Sequence, residues 1–245
     1  MKRLFVYMGA AAVLFSFWWL LSFFLALPIV PNPWHVVSCL QNIFLSSIAV
    51  HATYSLGRIA LGLVIAVGVG YPIGIFMGYA ARVDRILAPF VYLLYPVPKI
   101  ALLPILMLLA GVGEMSKVLM IFLIIVFQVI IAVRDAVRSI PQETYVPLLS
   151  LGASVFSIFR HILWPASLPK FITAVRVAMA TAFSVLFFTE TFGSQYGLGY
   201  FIMDAWLRVN YLEMYAGIVV LSVLGLLLFS ILDFIEMKVC RWQYK

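Results

Sequence analysis

The chain has 245 residues, 65% of them hydrophobic and 10% charged, with a formal net charge of +7 and a mean hydropathy of +1.14. Apolar runs long enough to cross a ~30 Å hydrocarbon core recur along it, which excludes a soluble globular domain. Backbone polar groups find no water inside a bilayer, so the expected fold class is an all-α polytopic membrane protein, one domain over residues 1–245.

The first span is expected at Leu4–Leu27, behind Met1, Lys2 and Arg3. It is longer than the ~7–15 apolar residues of a cleaved signal peptide, so it counts as an extra N-terminal helix, residues 4–27. Pro28, Pro31 and Pro33 end it. A weakly amphipathic segment, Trp34–Ser47, precedes the second span at Tyr54–Ala80. The third, Leu87–Ala110, is interrupted by Pro96, Pro98 and Pro104, and the fourth is Val118–Val133. A polar, basic island then occupies residues 134–170. The fifth span is Ala166–Phe188 and the sixth Tyr215–Ile235, giving six spans with a core over residues 52–238.

Lys and Arg mark the inner side of a membrane, which also accounts for the basic excess without nucleic acid. With the N-terminus inside, Lys2, Arg3, Arg82, Arg85, Arg134, Arg138, Arg160, Lys170, Lys238, Arg241 and Lys245 fall inside. Only Lys117, Arg208 and Arg58, at the head of the second span, fall outside. Both termini and the island are therefore expected in the cytoplasm. Cys39 and Cys240 fall on opposite faces, too far apart for a disulfide, and no zinc spacing is present.

Catalytic chemistry has little to work with. His35, His51 and His161 are scattered, and no nucleophile–base set or metal spacing appears. All acidic residues fall at or beyond span ends, whereas proton-coupled carriers place carboxylates or histidines within the spans. Two charges are expected inside the bilayer. Lys99 sits near mid-depth of the third span, just after the breaks at Pro96 and Pro98, and either lines a cavity or snorkels to the inner surface. Arg176 lies in the fifth span, where helix packing near the cytoplasmic mouth is the plainer role. Gly57, Gly62, Gly68, Gly70, Gly74 and Gly78 recur at helical near-repeats, which suits close helix approach within one subunit or at a dimer seam.

The island is expected to form a short helix, a turn at Gly152 and a second amphipathic helix running into Pro165. Glycine takes the reversal without Cβ strain, and proline suits the start of the fifth span. Leu149, Val155, Phe156, Phe159 and Ile162 supply an apolar contact surface.

Leu151-Gly152-Ala153-Ser154, with Ile162 and Pro165 following at set offsets and Leu168-Pro169 beyond, resembles the cytoplasmic loop of the permease subunits of bacterial binding-protein-dependent ABC importers. The resemblance covers about Pro31 to Trp242. Ser55-Leu56-Gly57-Arg58 and Gly70-Tyr71-Pro72-Ile73-Gly74 are similar to the family's first core helix. Tyr95-Pro96-Val97-Pro98-Lys99 through Leu103-Pro104 resembles the broken helix of the nitrate, sulfonate, taurine and thiamine-precursor branch. Gly111-Val112-Gly113-Glu114-Met115-Ser116-Lys117, Glu190 and Gly197-Leu198-Gly199-Tyr200 fit the same branch.

The resemblance implies a type I ABC importer permease fold in the bacterial inner membrane, with a cytoplasmic coupling helix. Coupling to an ATPase would involve Glu143, Val146, Leu149, Leu151, Gly152, Ala153, Phe156, Phe159, Ile162 and Pro165. Tyr95, Pro98, Lys99, Arg176 and Glu190 would belong to the translocation pathway for a small solute, with a slight lean toward an anion. The implied partners are two ABC ATPase subunits, a second permease copy, membrane lipids and a periplasmic or lipid-anchored solute-binding protein. That protein would face residues 190–200 and 31–47. ATP and Mg would bind the ATPase, leaving this chain without a cofactor. A channel or an ion-coupled secondary transporter is the alternative, with a membrane enzyme or assembly protein behind it. Two positions depart from the family. Val146-Pro147-Leu148 stands where it has Glu-Ala-Ala, leaving Glu143, one turn earlier, as the available acid. Trp164 replaces the usual Leu before Pro165.

Overall fold

The computed structural model describes residues 2–243, with side chains for residues 9–242. Of the residues assigned to the inner side, Lys245 and the side chains of Lys2 and Arg3 lie outside this description. In chain order the helices are α1 (Lys2–Leu25), α2 (Pro33–Ile43), α3 (Ala49–Tyr79), α4 (Ala81–Leu94), α5 (Leu103–Ala110), α6 (Glu114–Arg138), α7 (Val146–Ser150), α8 (Val155–Ile158), α9 (Trp164–Glu190), α10 (Leu198–Leu207) and α11 (Tyr211–Val239). By length and composition four described stretches can cross a membrane, Pro33–Tyr79, Glu114–Arg138, Val155–Glu190 and Tyr211–Val239. Ala81–Leu94 with Lys99–Ala110 makes a fifth if the bent pair counts as one span. The remaining expected span is α1, whose described apolar part is Gly9–Leu25.

Three boundaries correct the sequence expectation. The amphipathic segment before the second span does not stop short of it: helix runs unbroken from Pro33 to Tyr79 through a π-helical turn at Phe44–Ile48. Pro33 occupies the first turn, and Asn32 Oδ1 accepts the Trp34 N–H at 3.0 Å, closing the helix start. The third span begins earlier, at Ala81, and is two helices meeting at 83°. Pro96 and Pro98 lack the N–H groups that would carry α4 onward. The island's second helix is also continuous with the fifth span, through a π-helical turn at Phe159–Leu163.

The chain divides into two compact units. One comprises residues up to Ser55 together with Ser194–Leu224. Its core is Val36, Ile48, Leu198, Phe201, Ala216 and Val220, with Trp18 stacked on Tyr215 at 5.4 Å. The loop before α10 is fixed by two side chains of α3: Ser55 Oγ accepts the Leu198 N–H at 2.8 Å, and His51 Nδ1 the Gly197 N–H at 3.1 Å.

The other unit, Leu56–Gly193 with Gly225–Lys245, is built around α6. Its core includes Ile121, Ile125, Val129 and Val133 of α6 and Val175, Met179, Ala182 and Leu186 of α9. Helix α3 closes on α6 through Gly62, Gly70, Gly74 and Gly78, where a Cβ would meet Ile121, Val129, Val133 and Val137 at 3.2 Å or less. Gly57 and Gly68 have nothing within 4 Å. The repeat thus sorts into a packing stripe inside this unit and two positions outside it. Tyr71 donates to or accepts from Ser167 at 2.7 Å, and Trp164 stands edge-on to its ring at 5.2 Å. Trp164, unusual before the proline, has a packing role here.

Candidate functional site

The proline break between α4 and α5 leaves the last carbonyls of α4 without helical donors. Lys99 supplies them. Its Nζ donates to the carbonyls of Leu94, Tyr95 and Val97 at 2.6, 2.9 and 2.9 Å, and lies 5.0 Å from the Phe127 ring centroid. A cation at a helix C-terminus is favoured by the helix dipole as well as by these bonds. Lys99 and Tyr95 also line an open cavity of about 340 Å³, together with Val97, Ile100, Ile124, Phe127, Gln128, Thr181 and Val185. Pro98 forms the N-cap of the 3₁₀ turn Lys99–Leu102 and so sets the lysine's position.

The other expected pathway residues lie elsewhere. Arg176 pairs with Asp233 at 2.6 Å and with Glu236, joining α9 to the end of α11. Glu190, wholly buried, accepts from Arg58 Nη1 at 2.5 Å. Arg58 Nε and Nη2 reach Glu114 at 2.5 Å each, so one guanidinium ties α3, α6 and α9 together. Lys117, 1% exposed, donates to the Gly113 carbonyl at 3.1 Å. Arg58, Lys117 and Glu190, all expected at span ends, are buried. Charges this far apart in sequence give no pairwise signal. The one available hint was an arginine set among apolar residues in the second span.

A second missed cluster sits at the far end of α6. Asp84 takes Arg134 Nε at 2.5 Å and Arg138 Nη2 at 2.5 Å, with Arg134 also donating to Tyr92 Oη at 2.9 Å. This cluster fixes the end of α6 from which the island departs.

In the island, α7 ends in a left-handed turn. Gly152 has φ +69°, its N–H reaches the Leu149 carbonyl and the Ala153 N–H the Leu148 carbonyl, both at 3.0 Å. Ser154 Oγ then accepts the Ser157 N–H at 3.3 Å and starts α8. Val146, Leu149, Leu151, Val155 and Phe156 are exposed, Leu151 to 84%. Two of the expected contact residues turn inward instead: Ile162 is buried at 4%, and Phe159 packs partly against the core. The continuous helix from Val155 into α9 points them there. Glu143, Val146 and Leu149 line one cleft of about 650 Å³ with Gly78, Tyr79, Arg138 and Tyr145. Glu143 itself is exposed, while Ala153 and Pro165 are half-buried.

Residues 70–240 match the family described as "Binding-protein-dependent transport system inner membrane component". The chain belongs to this family. The permease is 32% identical over 243 residues to the taurine transport system permease protein TauC of Escherichia coli (strain K12), covering 96% of this chain and 88% of that one. It is 30% identical to the putative aliphatic sulfonates transport permease protein SsuC of Bacillus subtilis (strain 168), covering 88% and 78%. It is 27% identical to the formylaminopyrimidine transport permease protein ThiX of Halalkalibacterium halodurans, covering 89% and 87%. Its fold matches an inward-facing structure of the MetNI methionine ABC transporter, with a TM-score of 0.68 at 20% identity, over 77% of this chain and 94% of that chain. The permease is the transmembrane subunit of an ATP-driven ABC importer. The family's permease subunit is not itself catalytic, and it works with ATPase and solute-binding partners.

Proposed function

We propose that residues 134–170 lie in the cytoplasm and seat in a groove of a separate ATPase, and that two permease copies work with two ATPases. The exposed apolar stretch from Val146 to Phe156 carries this reading. It is held in a defined turn by Gly152, and an uncovered apolar surface of this kind marks an interaction site. Glu143 shares a cleft with Val146 and Leu149 and so stands where it can replace the missing family glutamate. ATP and Mg bind the ATPase. Its closure moves the coupling segments and shifts the permease between inward-open and outward-open states, which requires each ligand to favour one state over the other.

Both termini are cytoplasmic in this reading, with residues 4–27 as an added helix preceding the core of residues 52–238. A periplasmic or lipid-anchored binding protein docks on the side of residues 190–200 and 31–47. The solute is a small molecule bearing a sulfonate group. The taurine and sulfonate names of two relatives support this, and so does the charge of Lys99 in its cavity.

The docking is tested by co-expressing a tagged permease with its partner ATPase. Leu149→Asp with Phe156→Asp places charge on the exposed surface and is expected to abolish ATPase retention while the permease still runs as a monodisperse peak. Full retention in that variant would overturn the assignment of the island as the docking element.

A further inference from the structure

We propose that Gln128 and Thr181 form, with Lys99, a solute-contacting site for a small organic anion within the membrane. The proposal rests on the importer reading above and adds residues that reading does not contain. Gln128 lies near the middle of α6 and Thr181 past the middle of α9, both within apolar membrane-spanning stretches. Neither forms a hydrogen bond among the described residues, and both line the cavity of about 340 Å³ that also holds Lys99. Gln128 is half-buried and Thr181 exposed, so within a membrane-spanning stretch their amide and hydroxyl are open to a solute or water that can complete them. The rest of the wall is Val97, Ile100, Ile124, Phe127 and Val185 with Tyr95, an apolar surface carrying few polar groups, as small-ligand sites do.

Lys99 sets the sign of the charge. Its ammonium hydrogens are committed to the carbonyls of Leu94, Tyr95 and Val97, and no carboxylate pairs with it among the described residues. It therefore acts as a fixed positive charge at the wall, attracting an anion without grasping it. The Gln128 amide and the Thr181 hydroxyl are the free donors that can bond the anion's oxygens. At about 30 Å³ per water the cavity has room for roughly ten waters, enough for a compact sulfonate or carboxylate and too little for a peptide. Weak holding by a fixed charge also suits a pathway, because a transported solute must leave.

The test needs neither the natural solute nor ATP hydrolysis, so its outcome is separate from whether the ATPase docks on the island. Gln128→Cys and Thr181→Cys are made singly in a full-length chain carrying Cys39→Ser and Cys240→Ala. Each is treated with anionic sulfonatoethyl methanethiosulfonate or cationic trimethylammonioethyl methanethiosulfonate. In either case the cysteine thiolate attacks the reagent's sulfur and methanesulfinate leaves. Rates are normalised to those of a free thiol in solution. Both positions are expected to react with about a tenfold preference for the anion at low salt, as a charge within a few ångströms produces. The preference should shrink at high salt, where the screening length falls to ~3 Å at 1 M. It should vanish with Lys99→Gln and persist with Lys99→Arg. Unreactive thiols, no preference with Lys99 intact, or a preference indifferent to both salt and Lys99→Gln would overturn the site.

Discussion

Adding one methyl group at Gly78 should loosen the permease, and adding one at Gly68 on the same helix should not. A Cβ on Gly78 would stand 2.5 Å from Val137 Cβ and 2.9 Å from the Arg134 carbonyl oxygen. Carbon atoms prefer ~3.5–4.0 Å, so α3 and α6 must separate by about 1 Å at that turn. Overpacking of this kind costs about 1–3 kcal/mol, while alanine's better helix propensity returns ~1 kcal/mol. Gly78→Ala is thus expected to lose up to ~2 kcal/mol. Gly68→Ala meets nothing within 4 Å and keeps only the helical gain. The assay is the apparent unfolding midpoint in detergent, followed by tryptophan fluorescence at one fixed heating rate because such transitions are kinetically controlled. Gly78→Ala should fall below the parent chain and Gly68→Ala should match or exceed it. Val137→Ala in the Gly78→Ala background should recover only part of the loss, since it removes Val137 Cγ1, 2.8 Å from the new methyl group, and leaves Val137 Cβ and the Arg134 carbonyl in place. Equal midpoints for the two alanine variants would refute the packing of α3 on α6.

Arg58→Met should be among the most damaging single changes, costing about 3–5 kcal/mol, because it takes the Arg58 guanidinium from the wholly buried Glu190. Adding Glu190→Gln should restore much of the loss, and a double variant no more stable than Arg58→Met would count against the buried pair. Asp84→Asn should cost about 1.5–3 kcal/mol of charged hydrogen bonding to Arg134 and Arg138 and so lower the midpoint, with Asp84→Glu falling between. Lys99→Ala should reduce solute uptake while the complex still assembles. Unchanged uptake would leave Lys99 only its role as a clasp on the carbonyls of residues 94, 95 and 97.

What local chemistry controls was legible in the sequence. The breaks at Pro96 and Pro98, the turn at Gly152 and the long apolar runs each follow from a few adjacent residues, and each stands where expected. Continuity across weak boundaries was not legible. Tertiary packing carries helix through Phe44–Ile48 and Phe159–Leu163 as π turns, and the second of these rotates Ile162 into the core. The charged residues were the least readable. Arg58, Glu114 and Glu190 come from three helices, so only their packing shows that a charge at a nominal span end is buried and paired. The glycine repeat was legible as a close-packing signal. Which glycines face α6 depends on a helical phase that the apolar sequence around them does not mark.

In the function proposed for it, this chain opens and closes a path in response to ATP bound elsewhere. The most direct test is uptake into proteoliposomes containing the permease with its ATPase, with the binding protein and labelled taurine supplied outside and ATP inside. Accumulation above the outside concentration that requires ATP, and that is lost with Leu149→Asp and Phe156→Asp, is the predicted result. Accumulation that proceeds without ATP, driven by an ion gradient alone, would contradict it.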